Sequence, residues 1–426
     1  MTTVAGMSAK PDIELARSLF DELAARTRVG RGIVRASYGE GENFAHGLAR
    51  RTAQSLGLEI ATDAALNLYV TMPGRDRTLP RFVVGSHMDS VPQGGNFDGA
   101  AGVVAGLSAL AGLSAMGIQP RRDVTVMAIR AEEAAWFNSS YIGSHAAFGR
   151  LAPEALDVCR SDNGRPLREH LAEAGGDPAA ILRHQCHLQP ETVAAFIEVH
   201  IEQGPVLEAK KLPVGLVTGI RGCLRYAHAR CHGAYAHSGA APRAMRQDAV
   251  VATAELVYRL DGKCIAIDEA GKDLVFTVGQ FSTDPAVAAP SKVAGETRFV
   301  LDFRGLEEAT MREAAGAAKA LAEEIGQRHR VAFVFGAESY SYAAVMDPSM
   351  RARLKGLAEE IGIPAMELPS GAGHDAAVFT AMGVPSAMIF IRNAHGSHNP
   401  DEAMEMADFA SATELLATYI AQDGQA

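Results

Sequence analysis

The sequence predicts an α/β fold: a mostly parallel sheet covered by helices, with a smaller α+β domain inserted into it. Three observations carry that prediction. Short continuous apolar runs alternate with helical stretches, the pattern of strands buried on both faces. Between about residues 214 and 336 this alternation gives way to strands with turn-like connections and only two helices, the pattern of a small α+β domain. The chain has 426 residues, 48% hydrophobic and 21% charged, enough for two to three folded domains with a large core.

Each element has a local reason. Residues 11–29 read as an opening helix, started by Pro11 and Asp12, with Ile13, Leu15, Ala16, Leu19, Phe20 and Leu23 as its apolar stripe. Residues 45–56 form a second amphipathic stretch. Residues 67–71 alternate like a strand and run into the turn Met72-Pro-Gly-Arg75. Residues 81–85 are a short apolar strand, followed by a glycine-rich loop and a long Ala/Gly/Leu helix over about 99–116. Further strands lie at 123–129, 193–199 and 386–391. In the middle segment, strands are expected at 216–218, 224–230, 274–281, 297–303 and 331–335, with helices at 247–260 and 307–325. The resulting domains are 1–213 with 337–426, and 214–336. The sequence contains no internal repeat and no low-complexity tract.

Composition excludes several classes. Lys and Arg total 40 against 50 Asp and Glu, a formal net charge of −10. That argues against a general nucleic-acid binder, which carries a basic excess. No apolar run approaches the roughly 20 residues that span a bilayer. The first residues lack a basic-then-apolar signal pattern, so the expectation is a cytoplasmic protein without membrane partners. Five cysteines, odd in number and without CxxC spacing, read as reduced thiols.

Chemistry concentrates at strand ends. The loop after residues 81–85 presents His87, Asp89 and Asp98; Glu132 and Glu133 follow the strand ending at Ile129. His200 follows Val199, and His398 follows the strand ending at Ile391. In open α/β sheets, sites form where parallel strands end. One imidazole after a strand is ordinarily a loop residue; four such ends point to a shared centre. Imidazole and carboxylate without thiolate suit zinc, manganese, cobalt or nickel. Three His (87, 200, 398) and two carboxylates (98, 133) can hold two divalent ions if one carboxylate bridges, and such a pair activates water and polarises a carbonyl. Adjacent acids with strand-like alternation point apart, so Glu132 and Glu133 can divide the roles of metal ligand and general base. Asp89, two residues after His87, is placed to orient that imidazole. His184 and His187 lie in a polar stretch and read as surface residues; His228 and His232, beside Cys231, read as structural.

These motifs resemble a known family. GSHMDSVPQGGNFDGAAGV, the Glu132-Glu133 pair, EVHIEQGPVLE, GAYAHSGAAPRAMRQDA, SGAGHDAAVF and GSHNPDEAM are similar to the dinuclear metal aminoacylase/carboxypeptidase superfamily. The likeness is to its allantoate amidohydrolase and N-carbamoyl-L-amino-acid hydrolase branch, and it spans nearly the whole chain. The resemblance implies that His87 and His200 ligate one metal, Glu133 and His398 the other, and Asp98 bridges both, with Glu132 the general base. It implies that the inserted domain is a lid through which the chain forms a homodimer. It implies substrate contacts for Gln203 and for Arg304, the latter gripping a carboxylate, as a planar guanidinium is suited to do. His237 would reach an active site, often the partner subunit's.

The chain departs from the family at Ser291-Lys-Val-Ala-Gly295, where relatives usually have an Asn-x-Ile-Pro-Gly turn. Ser291 takes the substrate-contacting place of that Asn with a shorter reach, and Lys292 adds charge. Arg243 stands where Met is common, and residues 392–395 replace an apolar-Pro start. The expectation is a metal-dependent hydrolase of a linear amide or ureido C–N bond in a small carboxylated molecule. Aminoacylase, dipeptidase or other amine-releasing chemistry on the same centre are the alternatives, and a catalytically silent metal or ligand binder a more remote one.

Overall fold

Four parallel strands, in the order Ser386–Ile391, Val193–Ile201, Arg81–His87 and Val124–Ile129, form the centre of the main sheet. All four are almost wholly buried, which is why they read as continuous apolar runs rather than alternating ones. Antiparallel strands flank them: Leu68–Met72 and Glu59–Thr62 on one side, Val214–Ile220 on the other. The architecture is thus mixed α/β with a mostly parallel centre, as the sequence predicts. The computed structural model describes residues 8–422 of the chain. These fall into two units, one comprising residues up to Thr218 together with those from Met346 onward, the other Gly219–Val345.

In the first unit, helix Ala100–Ala115 is buried on nearly every side and packs in one core with the helices Ile13–Thr27 and Met406–Gln422. The Asp12 side chain accepts the Leu15 amide at 2.9 Å, so the predicted start of the opening helix is a side-chain N-cap. A set of short helices over residues 134–182 has its own core around Trp136, Phe137, Leu156 and Leu171. These helices are too short for a periodic signal, and the sequence reading did not resolve them.

The second unit is a six-stranded sheet with helices Ala249–Glu269 and Glu308–His329 against one face. Its limits differ from the expected 214–336. Residues 216–218 belong to strand Val214–Ile220, whose Val214, Gly215 and Leu216 pair with Ile391, Phe390 and Ile389 of the main sheet. The second unit therefore begins at Gly219, and it extends to Val345. The single strand expected over 274–281 is two short ones, Val275–Thr277 and Phe281–Ser282, each paired with Glu296–Gly305. Both helices run longer than the sequence suggested.

A candidate metal centre at the carboxyl ends of the parallel strands

Because the central strands are parallel, their C-terminal ends lie at one edge of the sheet. His87 ends one strand and His200 lies near the end of its neighbour, their Nε2 atoms 3.4 Å apart. His87 Nδ1 lies 3.1 Å from the Asp89 carbonyl oxygen and His200 Nδ1 2.9 Å from that of Ile201. Each Nδ1 accordingly donates its proton to a carbonyl, which leaves Nε2 the lone-pair atom facing the cluster.

Asp98 stands between two groups of nitrogens. Its Oδ1 lies 3.5 Å from His87 Nε2 and 3.2 Å from His200 Nε2. Its Oδ2 lies 3.4 Å from His398 Nε2, which is also 3.4 Å from Glu133 Oε1. Gly99, next in the chain, has φ +67° and sits so close to His87 that a Cβ would fall 2.4 Å from the imidazole. Only glycine fits there. Several non-glycine residues around the site also hold left-handed backbone: Ala131, Tyr141, Gln203, His395 and His398. Strain of this kind, on the order of 1 kcal/mol or more per residue, collects where function dictates geometry.

The donor set fits divalent cations. Buried Asp98 Oδ1 has no hydrogen-bond partner within the protein. An orphaned carboxylate oxygen facing two imidazole nitrogens is costly unless a cation satisfies it. Two of the ligand groupings in this cluster are His87–Asp98–His200 and Asp98–Glu133–His398.

Asp89 is hydrogen-bonded to the other acidic candidates through their backbone. Fully buried, it accepts the Glu132 amide on Oδ1, and the Glu133 amide and Ser37 hydroxyl on Oδ2. Its Oδ1 is also 3.4 Å from His87 Nδ1. Glu132 Oε2 lies 4.0 Å from His87 Nε2. Burial drives the Glu132 carboxyl well above the usual range, which His87 only partly offsets and Asp375 and Glu133 reinforce. Burial would raise Asp98 too, but His200 and His87 hold it well below its ordinary value. His87 is itself held well above the usual imidazole range, the carboxylates of Asp89 and Asp98 outweighing burial. Gln203 donates from Nε2 to Asp98 Oδ2 at 2.8 Å, so that residue is also at the centre.

The remaining sequence candidates lie in the second unit. His237 and Ser291 belong to a short ribbon in which His237 pairs with Lys292 and the Ser238 amide donates to the Ser291 carbonyl. His237 Nδ1 accepts the Gly239 and Ala240 amides at 3.2 and 3.1 Å. Its proton is thereby placed on Nε2, making that edge a hydrogen-bond donor. Arg304 lies in the larger sheet of this unit, where it pairs with Cys223, its Nε donating to Asp302 Oδ1 at 3.0 Å. Asp302 also accepts from Arg225 at 2.8 Å. His184 and His187 are exposed, as expected, with His187 stacked on Tyr69 at 4.1 Å. All five cysteines are free thiols.

Sequence reasoning missed a layer behind the ligands. Glu198, two residues before His200 and on the same strand face, accepts the Ser86 hydroxyl and the Ala376 amide. Asp375 accepts Ser144 Oγ at 2.6 Å, and burial beside Glu198 pushes its carboxyl up to about 8. His374 meets Ser370 at 2.9 Å. Arg35, wholly buried, donates to the Met88 carbonyl at 2.8 Å close behind the acidic loops. The two-residue spacing could have flagged Glu198, and His374 and Asp375 lie inside the quoted SGAGHDAAVF motif. Nothing local marks Arg35.

Residues 83–422 match the family model for peptidase family M20/M25/M40. The chain is 34% identical over 388 residues to an N-carbamoyl-L-amino acid amidohydrolase of Geobacillus stearothermophilus, covering 90% of this chain and 92% of that protein. It is 30% identical to allantoate deiminase 1 of Glycine max, covering 83% of this chain and 78% of the relative. Among solved structures, a hydantoinase/carbamoylase family amidase from Burkholderia ambifaria superposes with a TM-score of 0.86 at 26% identity. That match covers 97% of this chain and 96% of the other.

Proposed function

We propose, from the premise that the chain belongs to peptidase family M20/M25/M40, that it hydrolyses a linear amide or ureido C–N bond of a small carboxylate-bearing molecule. It is a hydrolase of carbon–nitrogen bonds other than peptide bonds; an N-carbamoyl-L-amino acid or an allantoate-like compound is the substrate class. The observation that carries the reading is Asp98, whose two oxygens face separate imidazole groups beside the buried Glu132.

His87, His200 and one oxygen of Asp98 would hold one divalent cation; the other Asp98 oxygen, Glu133 and His398 would hold the second. Zinc is the first choice for these donors, with manganese, cobalt or nickel as alternatives. Such cations, when bound, supply Lewis acidity toward the carbonyl and lower the pKa of water. Glu132 accepts the proton of the attacking water and returns it to the leaving nitrogen. Asp89 fixes the His87 ring and the Glu132-Glu133 backbone. Gln203 contacts the substrate. His237, with its proton on Nε2, donates to the developing oxyanion. Arg304 binds the substrate carboxylate and Ser291 contacts the substrate beside His237. From a carbamoyl amino acid the products are the free amino acid, ammonia and carbon dioxide.

The second unit supports a homodimer. Strand Glu296–Gly305 separates Arg304 from the end where the His237–Ser291 ribbon begins by eight residues, roughly 26 Å of extended chain. One small substrate is better served by Arg304 of one copy and His237 of another. Helix Ala249–Glu269 also exposes Val251, Tyr258 and Ile265 at seven-residue spacing, an apolar stripe suited to a second copy. Among the described residues no helix is long and apolar enough to cross a membrane; a cytoplasmic setting accords with the free thiols.

A substrate panel scored for ammonia with and without carbon dioxide tests the reaction, alongside Glu132→Gln. Turnover should fall roughly 10²–10⁴-fold with cation content unchanged. Full turnover by that variant would remove Glu132 from the base role. Cleavage of N-acyl amino acids or dipeptides without any ureido turnover would replace the substrate class.

A further inference from the structure

Glu402 is a buried carboxylate with no part in the chemistry described so far. Its Oε1 accepts the Phe97 amide at 2.9 Å and the Asp98 amide at 3.3 Å. Ser397 Oγ lies 2.6 Å from Glu402 Oε2 and 2.5 Å from Asp98 Oδ2, so its single proton is shared between the two carboxylates. The segment before Asp98 is built to admit it: a Cβ on Gly95 would fall 2.0 Å from the Glu402 carboxyl carbon. Glu402 thus ties together two loops some three hundred residues apart in sequence, one carrying Asp98 and the other carrying His398.

The side-chain end of the tie is one-sided. Ser397 approaches Oδ2 of Asp98, the oxygen shared with His398 and Glu133. Oδ1, facing His87 and His200, is not in the network. The His87 and His200 rings are fixed instead by the carbonyls of Asp89 and Ile201. His398 has no such strand to hold it: it is half-exposed, in a left-handed conformation, on a turn secured by the Asn399 side chain and Ser397.

We propose that Glu402, acting through Ser397, is the positioning residue of the second cation seat alone, formed by Asp98 Oδ2, Glu133 and His398. The proposal rests on the two-cation reading above and adds to it a selective role for residues outside the ligand set. Loss of a hydrogen-bonded support of this kind typically costs about 10- to 100-fold in metal affinity. Glu402→Ala and Ser397→Ala should therefore weaken one of two binding steps by that factor and leave the other within about threefold.

The experiment is calorimetric titration of zinc, and separately manganese, into chelator-treated chain, with thermal unfolding of the same chelated samples. Glu402→Gln is the rescue. Its amide oxygen can accept the Phe97 and Asp98 amides and its NH₂ can donate to Ser397 Oγ, freeing the hydroxyl proton for Asp98; its two affinities should stay near wild type. Two steps in the wild type, one selectively weakened by Glu402→Ala and restored by Glu402→Gln, is the expected result. Equal weakening of both steps, tracking a fall in unfolding temperature, would reduce Glu402 to a structural residue and overturn the proposal. Unchanged binding would overturn it too. A single step in the wild type would instead sink the two-cation reading itself, whatever the variants do.

Discussion

On the proposed roles, His237→Ala and Arg304→Ala each impair turnover, and the two variants can be combined to ask whether one substrate draws on two copies of the chain. The structure supplies the reason to expect it. Arg304 pairs with Cys223 and Glu296 with His232, and the two chains then run on into a separate two-stranded ribbon in which His237 pairs with Lys292. The stretch from Glu296 to Arg304, bulged between Phe299 and Leu301, spans roughly 26 Å. Removing a guanidinium that binds a carboxylate costs about 1.5–3 kcal/mol, or roughly 10- to 150-fold in kcat/KM; removing an oxyanion donor costs about 10²–10³-fold. Each parent dimer is then nearly silent. Co-expression with two different affinity tags and tandem purification isolates the mixed dimer. If Arg304 and His237 serve one substrate from different copies, the mixed dimer has one intact site and one doubly defective site, about half the wild-type rate per dimer. The reciprocal pairing, a double variant with wild type, then has one defect in each site and stays silent. The opposite pattern, silence in the first and half activity in the second, would refute the argument from the ladder.

Other expectations follow from local geometry. Gly102, inside helix Ala100–Ala115, would place a Cβ 2.2 Å from the Val199 carbonyl oxygen, whereas Gly316 in helix Glu308–His329 has open space around it. Gly102→Ala should destabilise by about 1–3 kcal/mol and Gly316→Ala stabilise by about 0.5–1 kcal/mol; chemical denaturation giving both the same sign would contradict this. Asp375 has a folded-state pKa raised to about 8 by burial, above that of an unfolded aspartate. The folded chain holds a proton the unfolded chain releases, so this group's contribution to stability falls as pH rises from about 4 to about 8. Asp375→Asn, which keeps an oxygen for Ser144, should gain in unfolding temperature over wild type across that interval and level off above it, measured with chelator present. A constant difference from pH 5 to 9 would show that Asp375 does not hold that proton.

Much of the first unit was legible because its strands are buried on both sides and its candidate ligands cluster beyond the ends of those strands. The strand-end rule gathered His87, Asp98, the Glu132-Glu133 pair, His200 and His398 into one group, and the family resemblance divided the roles of the two glutamates. The limits of the inserted unit were harder. Strand Val214–Ile220 looks like its neighbours in sequence, and only pairing with Ser386–Ile391, fixed by contacts distant in the chain, assigns its first residues to the main sheet. The supporting layer was hidden for the same reason. Arg35 and Glu402 are unremarkable residues in their own segments, and their importance arises from loops that approach only after folding. Glu198 was the exception that the two-residue repeat of a strand could have exposed.

The ligand grouping also dictates when the centre comes into being during synthesis. His87, Asp98, Glu133 and His200 are all made before Gly219, whereas His398 follows the whole of the intervening unit. On the two-cation reading, a chain cut before Ser386 lacks both His398 and the strand that pairs with Val193–Ile201, so the second seat has no imidazole and the sheet edge carrying His200 has no neighbour on that side.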